Sequence, residues 1–207
     1  MRQSTLTRLA ATLLTALSLG AGLSACAPLL VGGAMAGGAM VVTDRRTSGA
    51  QLEDQGIELR ANNRLREKFG ERGHIEVTSY NRQVLLTGEV GSEQDKALAQ
   101  QIVAGVDNVT GIVNELGVMG VTTLSQRSND VFITGRVKAS MVDARDMFSN
   151  AFKVVTTRGT VYLMGRVTQR EAERATSITR NISGVQRVVL TLEIISEDEL
   201  ARLQPKQ

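Results

Sequence analysis

The sequence predicts an α+β fold in which one α-β-β-α-β unit occurs twice in tandem. An alternating hairpin pattern at residues 74–90 occurs again, without gaps, at residues 151–167. A helical segment and a last apolar strand follow each hairpin, and a further helical segment precedes it. The expected product is two domains, each with a three-stranded mixed sheet and two helices on one face.

The N-terminus has the three parts of a secretory signal peptide over residues 1–25. Arg2 and Arg8 are basic, and the apolar stretch after them is too short for a permanent membrane span. Residues 23–26 (LSAC) match the bacterial lipobox, in which the cysteine becomes the acylated N-terminus. We therefore expect cleavage before Cys26 and lipidation of its thiol. Each buried methylene of the acyl chains contributes about 0.8 kcal/mol to anchoring.

A tether over residues 26–50 is expected to follow the cleavage site. Its segment 29–42 is apolar and rich in glycine, but too short for a second span. Ala27 follows the cysteine, and among bacterial lipoproteins in general the lack of aspartate there favours the outer membrane. Because Cys26 is the single cysteine, an intramolecular disulfide is excluded.

The first domain is predicted over residues 51–119. It opens with a helix over about 51–69 and continues with a hairpin that turns at Asn81-Arg82. Ser92 is the candidate N-cap of its second helix, and residues 109–118 form its last strand.

The second domain is predicted over residues 122–196, with a first helix at about 129–147 and a hairpin turn at Arg158-Gly159. Thr168 is the candidate N-cap of the second helix, and residues 185–194 form the last strand. Two further expectations concern strand ends and the C-terminus. The second hairpin strands should end at Gly88 and Gly165, where the chain bends or packs closely, and residues 197–207 should be a polar tail.

The charge pattern argues against nucleic acid as a partner. From Cys26 onward the chain carries 22 basic and 21 acidic side chains, a net charge of +1. Residues 51–120 hold 7 basic and 11 acidic side chains, whereas residues 121–196 hold 11 basic and 6 acidic ones. Halves of opposite sign are expected to face different partners.

The sequence contains no recognisable catalytic constellation. His74 is the single histidine and lies at a strand entrance. One histidine and no free cysteine exclude the usual zinc ligand sets, and no glycine-rich segment has a strand–GxGxxG–helix context. We therefore expect a protein that is not an enzyme, with no metal and no cofactor.

The first helix of the second domain has two apolar faces. A stripe of Ile133, Val137, Met141 and Ala144 should face the sheet. Roughly opposite it are Val131 and Val142, with Phe132 to one side, and these apolar residues are interleaved with Arg136 and Lys138. Such a face suits an anionic bilayer, because apolar tips can enter the headgroup zone while cations pair with phosphates.

Two alternatives stand beside this interpretation of the helix. Phe132 and Val142 would pack against the first domain, or the helix boundaries would differ from those predicted. The first helix of the first domain offers a contrast, since it shows one stripe only, with Ile57, Ala61, Leu65 and Phe69.

The second copy resembles the BON domain at V-x-L-x-G-x-V (residues 161–167) and G-V-x-x-V-V (residues 184–189). The first copy fits less closely, since Asn108 replaces the glycine. With the lipobox and the tether, nearly the whole mature chain resembles the dual-BON-domain outer-membrane lipoproteins of the DolP type. The resemblance implies an outer-membrane anchor facing the periplasm and a second domain that binds anionic phospholipid through a helix matching residues 129–142. Phe132 stands where relatives carry Trp, which implies weaker binding.

The resemblance also implies a role in outer-membrane integrity and in envelope remodelling at the division site. Periplasmic division proteins or regulators of peptidoglycan amidases would then be partners. A competing hypothesis is a protein-interaction adaptor that recruits an envelope partner through the acidic first domain or its sheet edge.

Overall fold

The structure is a computed structural model and describes residues 44–70 and 72–203. The predicted signal peptide, Cys26 and the apolar part of the tether lie outside the described residues. Within the described part of the chain, no helix is both long enough and apolar enough to cross a membrane.

The first repeat contains two helices and a mixed sheet. Its elements are α1 (Ser48–Phe69), β1 (His74–Tyr80), β2 (Gln83–Val90), α2 (Glu93–Ala104), β3 (Gly111–Asn114) and β4 (Gly117–Val118). Strand β2 is central, since β1 pairs with it antiparallel and β3 and β4 pair with it in parallel.

The second repeat has the same order of elements. They are α3 (Leu124–Asp143), β5 (Phe152–Thr157), β6 (Thr160–Thr168), α4 (Gln169–Arg180), β7 (Arg187–Ile195) and a final short helix α5 (Glu197–Leu203). Strand β6 is central, between antiparallel β5 and parallel β7. The predicted α+β fold, with one α-β-β-α-β unit repeated, is confirmed.

Side-chain caps explain where the helices begin. The hydroxyls of Ser92 and Thr168 accept hydrogen bonds from backbone N–H groups in the first turns of α2 and α4, as predicted. Helix α3 begins at Leu124 instead of 129, because Thr123 and Gln126 form a reciprocal capping box. It ends at Asp143 instead of 147.

Both hairpins turn through two residues in the left-handed region. The φ values are 49° and 69° at Asn81 and Arg82, and 53° and 70° at Arg158 and Gly159. Positive φ at both positions defines the type I′ turn, whose twist matches that of paired antiparallel strands.

The expectation that the second hairpin strands end at Gly88 and Gly165 is wrong, since β2 and β6 continue beyond them. Both glycines instead allow a close approach of backbones. A Cβ at Gly88 would lie 1.9 Å from the His74 carbonyl oxygen, and one at Gly165 would lie 2.5 Å from that of Ala151.

Each sheet carries its two helices on one face, as predicted. In the first domain Ile57, Ala99 and Leu86 share a buried core, and in the second Ile133, Ala175 and Leu163 do so. The opposite faces of the two sheets meet each other in a third buried cluster, which contains Tyr80, Leu85, Tyr162 and Met164. The two repeats therefore form a stack of helices, sheet, sheet and helices.

The two last strands differ from the prediction and from each other. In the first domain the strand is interrupted after Asn114, whose side-chain oxygen accepts the N–H of Leu116 at 3.2 Å, so two short strands replace one. In the second domain β7 runs unbroken for nine residues.

The segment predicted as a polar tail contains helix α5. Ser196 accepts the backbone N–H of Glu199, and Leu200 is buried. Arg166 pairs with Glu199. Arg170 pairs with Glu197 at 3.5 Å. One buried leucine, one cap and two ion pairs therefore dock a segment whose composition is polar.

Candidate functional site

The buried side of α3 fixes how this helix is rotated about its axis. Ile133, Val137 and Met141 are buried in the core of the second domain. Near the helix start, the two carboxylate oxygens of Asp130 accept the backbone N–H groups of Arg158 and Gly159, at 2.8 and 2.9 Å. The helix is thus held by its own domain at both ends.

The opposite side of α3 is an apolar stripe in contact with solvent. Val131, Phe132 and Val142 are 70%, 69% and 65% exposed. The alternative in which Phe132 and Val142 pack against the first domain is therefore wrong. We call Leu124, Val131, Phe132 and Val142 the α3 stripe.

Leu124 is the member of the α3 stripe that sequence reasoning missed. It is 76% exposed and lies about two helical turns before Val131. The omission followed from placing the helix start at 129. The pattern Thr123-x-x-Gln126 was the local signal that could have corrected it, since a hydroxyl followed three residues later by Glu or Gln often begins a helix.

Two cations flank the α3 stripe. Arg136 and Lys138 are both exposed, and at 100° per residue they project on either side of it. Within the described residues neither cation pairs with a carboxylate, whereas many other arginines of the body do. Both side chains are therefore free to pair with an external anion. That the stripe and its cations bind lipid stays a prediction.

Polar contacts across the domain interface hold the second domain, and with it α3, in place. Lys153 pairs with Glu58 at 2.7 Å, and Arg187 pairs with Glu115 at 2.6 Å. The hydrogen bond to Glu115 raises the pKa of Arg187 above its usual value.

His74 lies beside the same interface. Its ring nitrogens are 3.6 Å from a Glu76 oxygen and 3.7 Å from an oxygen of fully buried Glu89. Over residues 44–70 and 72–203, no group of three or more His, Cys, Asp or Glu side chains has the arrangement of a metal site.

Comparisons with known proteins agree with the repeat and with the family resemblance. The family model of the BON domain matches residues 54–120 and 129–195. The chain is 36% identical over 170 residues to the outer membrane lipoprotein DolP of Haemophilus influenzae, covering 81% of this chain and 87% of that protein.

Two further relatives match a smaller part of the chain. The 21 kDa hemolysin of Actinobacillus pleuropneumoniae is 29% identical over 154 residues, which is 73% of this chain and 79% of that protein. Osmotically-inducible protein Y of Escherichia coli is 32% identical over 117 residues, which is 55% of this chain and 58% of that protein. With two matched domains over most of its length, the chain belongs to the BON-domain family as a dual-BON protein of the DolP type.

Proposed function

We propose that the protein is a lipid-anchored outer-membrane lipoprotein whose second BON domain binds anionic phospholipid through the α3 stripe. The anchor would be Cys26, supported by the lipobox and by the similarity to an outer membrane lipoprotein. The observation that carries the proposal is an exposed apolar stripe flanked by two cations that pair with no carboxylate of the described residues, on a helix whose core-facing side is already filled.

The physical balance favours reversible contact. Complete burial of a Val, Leu or Phe side chain contributes about 1.5–3 kcal/mol, and partial insertion contributes less. Each cation near an anionic surface adds about 1 kcal/mol. The stripe would therefore select the surface on which the body rests, while the acyl chains would provide the lasting attachment.

This non-enzymatic function would support outer-membrane integrity and envelope remodelling at the division site, with the body in the periplasm. Regulators of peptidoglycan amidases are the class of protein partner that the family resemblance suggests. Neither nucleic acid nor a cofactor has a place in the proposal.

A second candidate function, recruitment of an envelope protein, is favoured by one observation on the first domain. Leu52 and Leu59 on α1 are 71% and 63% exposed. They are two helical turns apart and lie in the half with the acidic excess. This pair suits a basic, partly apolar protein surface better than an anionic bilayer.

The stripe can be tested with two matched variants of the mature chain carrying Cys26→Ser, so that no acyl chain masks weak binding. Phe132→Glu should weaken the affinity for phosphatidylglycerol vesicles, measured by co-sedimentation, roughly tenfold or more, because a charge replaces an inserting ring. Leu59→Glu places the same charge on an equally exposed site of α1 and should leave binding unchanged. In an NMR titration with anionic micelles, shifts should concentrate on residues 124–142. Equal binding by the Phe132→Glu variant would reject the stripe as the lipid site.

A further inference from the structure

The residues just before α1 are bound to the second domain. The guanidinium of Arg45 donates two hydrogen bonds to the carboxylate of Glu171, each of 2.7 Å, and one of 2.9 Å to the carbonyl oxygen of Arg166. The two side chains are 6% and 1% exposed. This is a buried bidentate ion pair between segments that lie 126 residues apart in the sequence.

The next residue is bound to the first domain. Arg46 donates to Asp54 of α1 at 2.8 Å and to Asp44 at 2.7 Å. Its guanidinium carbon lies 4.2 Å from the centre of the Tyr80 ring, within cation–π distance. Adjacent arginines thus reach different domains, and we call Arg45 and Arg46 with Glu171 and Asp54 the arginine clasp.

The clasp is hard to open because both carboxylates are buried. Burial alone would raise the pKa of Glu171, but hydrogen bonds from Arg45 and from the Thr168 backbone hold it below its usual value. Glu171 also completes the capping box of α4. Loss of Arg45 would leave this buried charge without its partner, which is strongly unfavourable.

The clasp lies beside the loop that follows α3. The guanidinium carbon of Arg45 is 5.8 Å from the ring centre of Phe148, an exposed side chain in the loop that follows α3. Val142 of the stripe stands one residue before the end of the same helix. The Arg45 guanidinium, one residue after Asp44, is therefore held beside the loop that follows α3.

The length of the tether makes this position matter. Eighteen residue steps separate Cys26 from Asp44, and a fully extended chain of that length spans at most roughly 60–65 Å. Helix α3 alone, with its 20 residues, is about 30 Å long. A tether of this reach keeps the body close to the bilayer, and the point from which it starts sets the effective concentration of each face at the surface.

We propose that Arg45 and Arg46 are positioning residues: the arginine clasp fixes the start of the tether beside the α3 stripe, so that the acyl anchor and the stripe engage the same membrane leaflet. This inference rests on the proposed lipid binding by the stripe. A clasp that served the domain junction alone would alter stability without altering how deeply the stripe enters the membrane.

The test uses the full lipidated chain in proteoliposomes containing phosphatidylglycerol. An Ala139→Cys change introduces a free thiol on the exposed side of α3, which is labelled with an environment-sensitive fluorophore. The clasp variant is Arg45→Gln with Arg46→Gln. The matched control is Arg145→Gln with Arg174→Gln, which removes the same charge from exposed positions outside the clasp.

In the parent and the control, emission should shift to the blue and a lipid-borne quencher should reduce it. In the clasp variant the immersed fraction should fall roughly three- to tenfold, because the stripe loses its high effective concentration at the anchored surface. If the double variant unfolds, Arg45→Lys retains the charge but loses the bidentate geometry, and it should show a smaller fall in the same direction. Thermal unfolding of each variant identifies a temperature at which all of them are folded.

Two further results separate the clasp from the lipid site. Added to vesicles from solution as Cys26→Ser chains, the clasp variant and the parent should bind equally, because no tether is engaged. If the α3 label were immersed to the same extent in the parent and in the clasp variant, the clasp inference would be overturned and the proposed function would stand. A parent that is not immersed and does not bind from solution would overturn both.

Discussion

Helices α1 and α3 occupy equivalent places in the two repeats and differ most on the side that faces solvent. On the side that faces the body they share one set of contacts. Asp54 of α1 accepts the backbone N–H groups of Asn81 and Arg82, and Asp130 of α3 accepts those of Arg158 and Gly159. In both repeats an aspartate in the first helix ties down a type I′ turn.

Towards solvent the two helices diverge. Helix α1 exposes two leucines among charged and amide side chains, whereas α3 exposes the four apolar side chains of the α3 stripe. The two repeats share the contacts that build the fold and differ in the side chains that they expose on the first helix. The difference between equivalent helices is therefore a better guide to function than either helix alone.

The largest difference that we expect between the two helices concerns Asp54 and Asp130. Asp54→Ala should lower the free energy of unfolding by about 3–5 kcal/mol, because it removes one of the two carboxylate partners of Arg46 and leaves Ser79 and two backbone N–H donors without their acceptor. Asp130→Ala removes the acceptor of two backbone N–H groups and should lower the free energy of unfolding by about 1–3 kcal/mol. Urea unfolding of both variants measures this difference. Equal losses of unfolding free energy would mean that the contact between Asp54 and Arg46 does not stabilise the first domain.

The second difference concerns the exposed cations of the two helices. Arg136→Gln with Lys138→Gln should weaken binding to anionic vesicles by about 2 kcal/mol, or roughly 30-fold at low salt. The effect should shrink as salt is added. The matched control is Arg66→Gln with Lys68→Gln, two exposed cations at the same spacing on α1. If both pairs had the same effect, net charge rather than the stripe would determine binding.

The smallest expected effect concerns pH. Burial alone would raise the pKa of Asp54, but hydrogen bonds from Ser79, the Arg82 backbone and Arg46 outweigh it and lower that pKa. Its charge therefore stabilises the fold above the unfolded pKa of about 3.9, and this contribution is lost as pH falls through the lower, folded value. Unfolding free energies of the parent and Asp54→Asn should converge across that window. A constant difference down to the acid limit would contradict this assignment.

Local signals predicted much of the fold. The turn residues and the alternating strands located both hairpins, and hydroxyl residues before acidic turns located two helix starts. The break in the last strand of the first domain depends on Asn114 binding its own neighbour's backbone, and the docking of α5 depends largely on one buried leucine. Neither feature has a periodic pattern.

The α3 stripe was predictable because it follows helical spacing, and only Leu124 escaped. The arginine clasp was not predictable, because Arg45 and Glu171 are joined by tertiary structure alone. Likewise, no pattern announced that the two sheets pack face to face, since Leu85 and Tyr162 are typical of any buried strand.

This face-to-face packing leaves the two helical layers on opposite outer sides of the body. With α3 resting on the bilayer, as proposed, Leu52 and Leu59 of α1 would point away from it into the periplasm. A protein partner could then be held on one side while lipid is held on the other, with no competition for space. The stacked sheets would separate the side that binds the membrane from the side that binds a protein partner. Attachment to the membrane would then also orient the partner site.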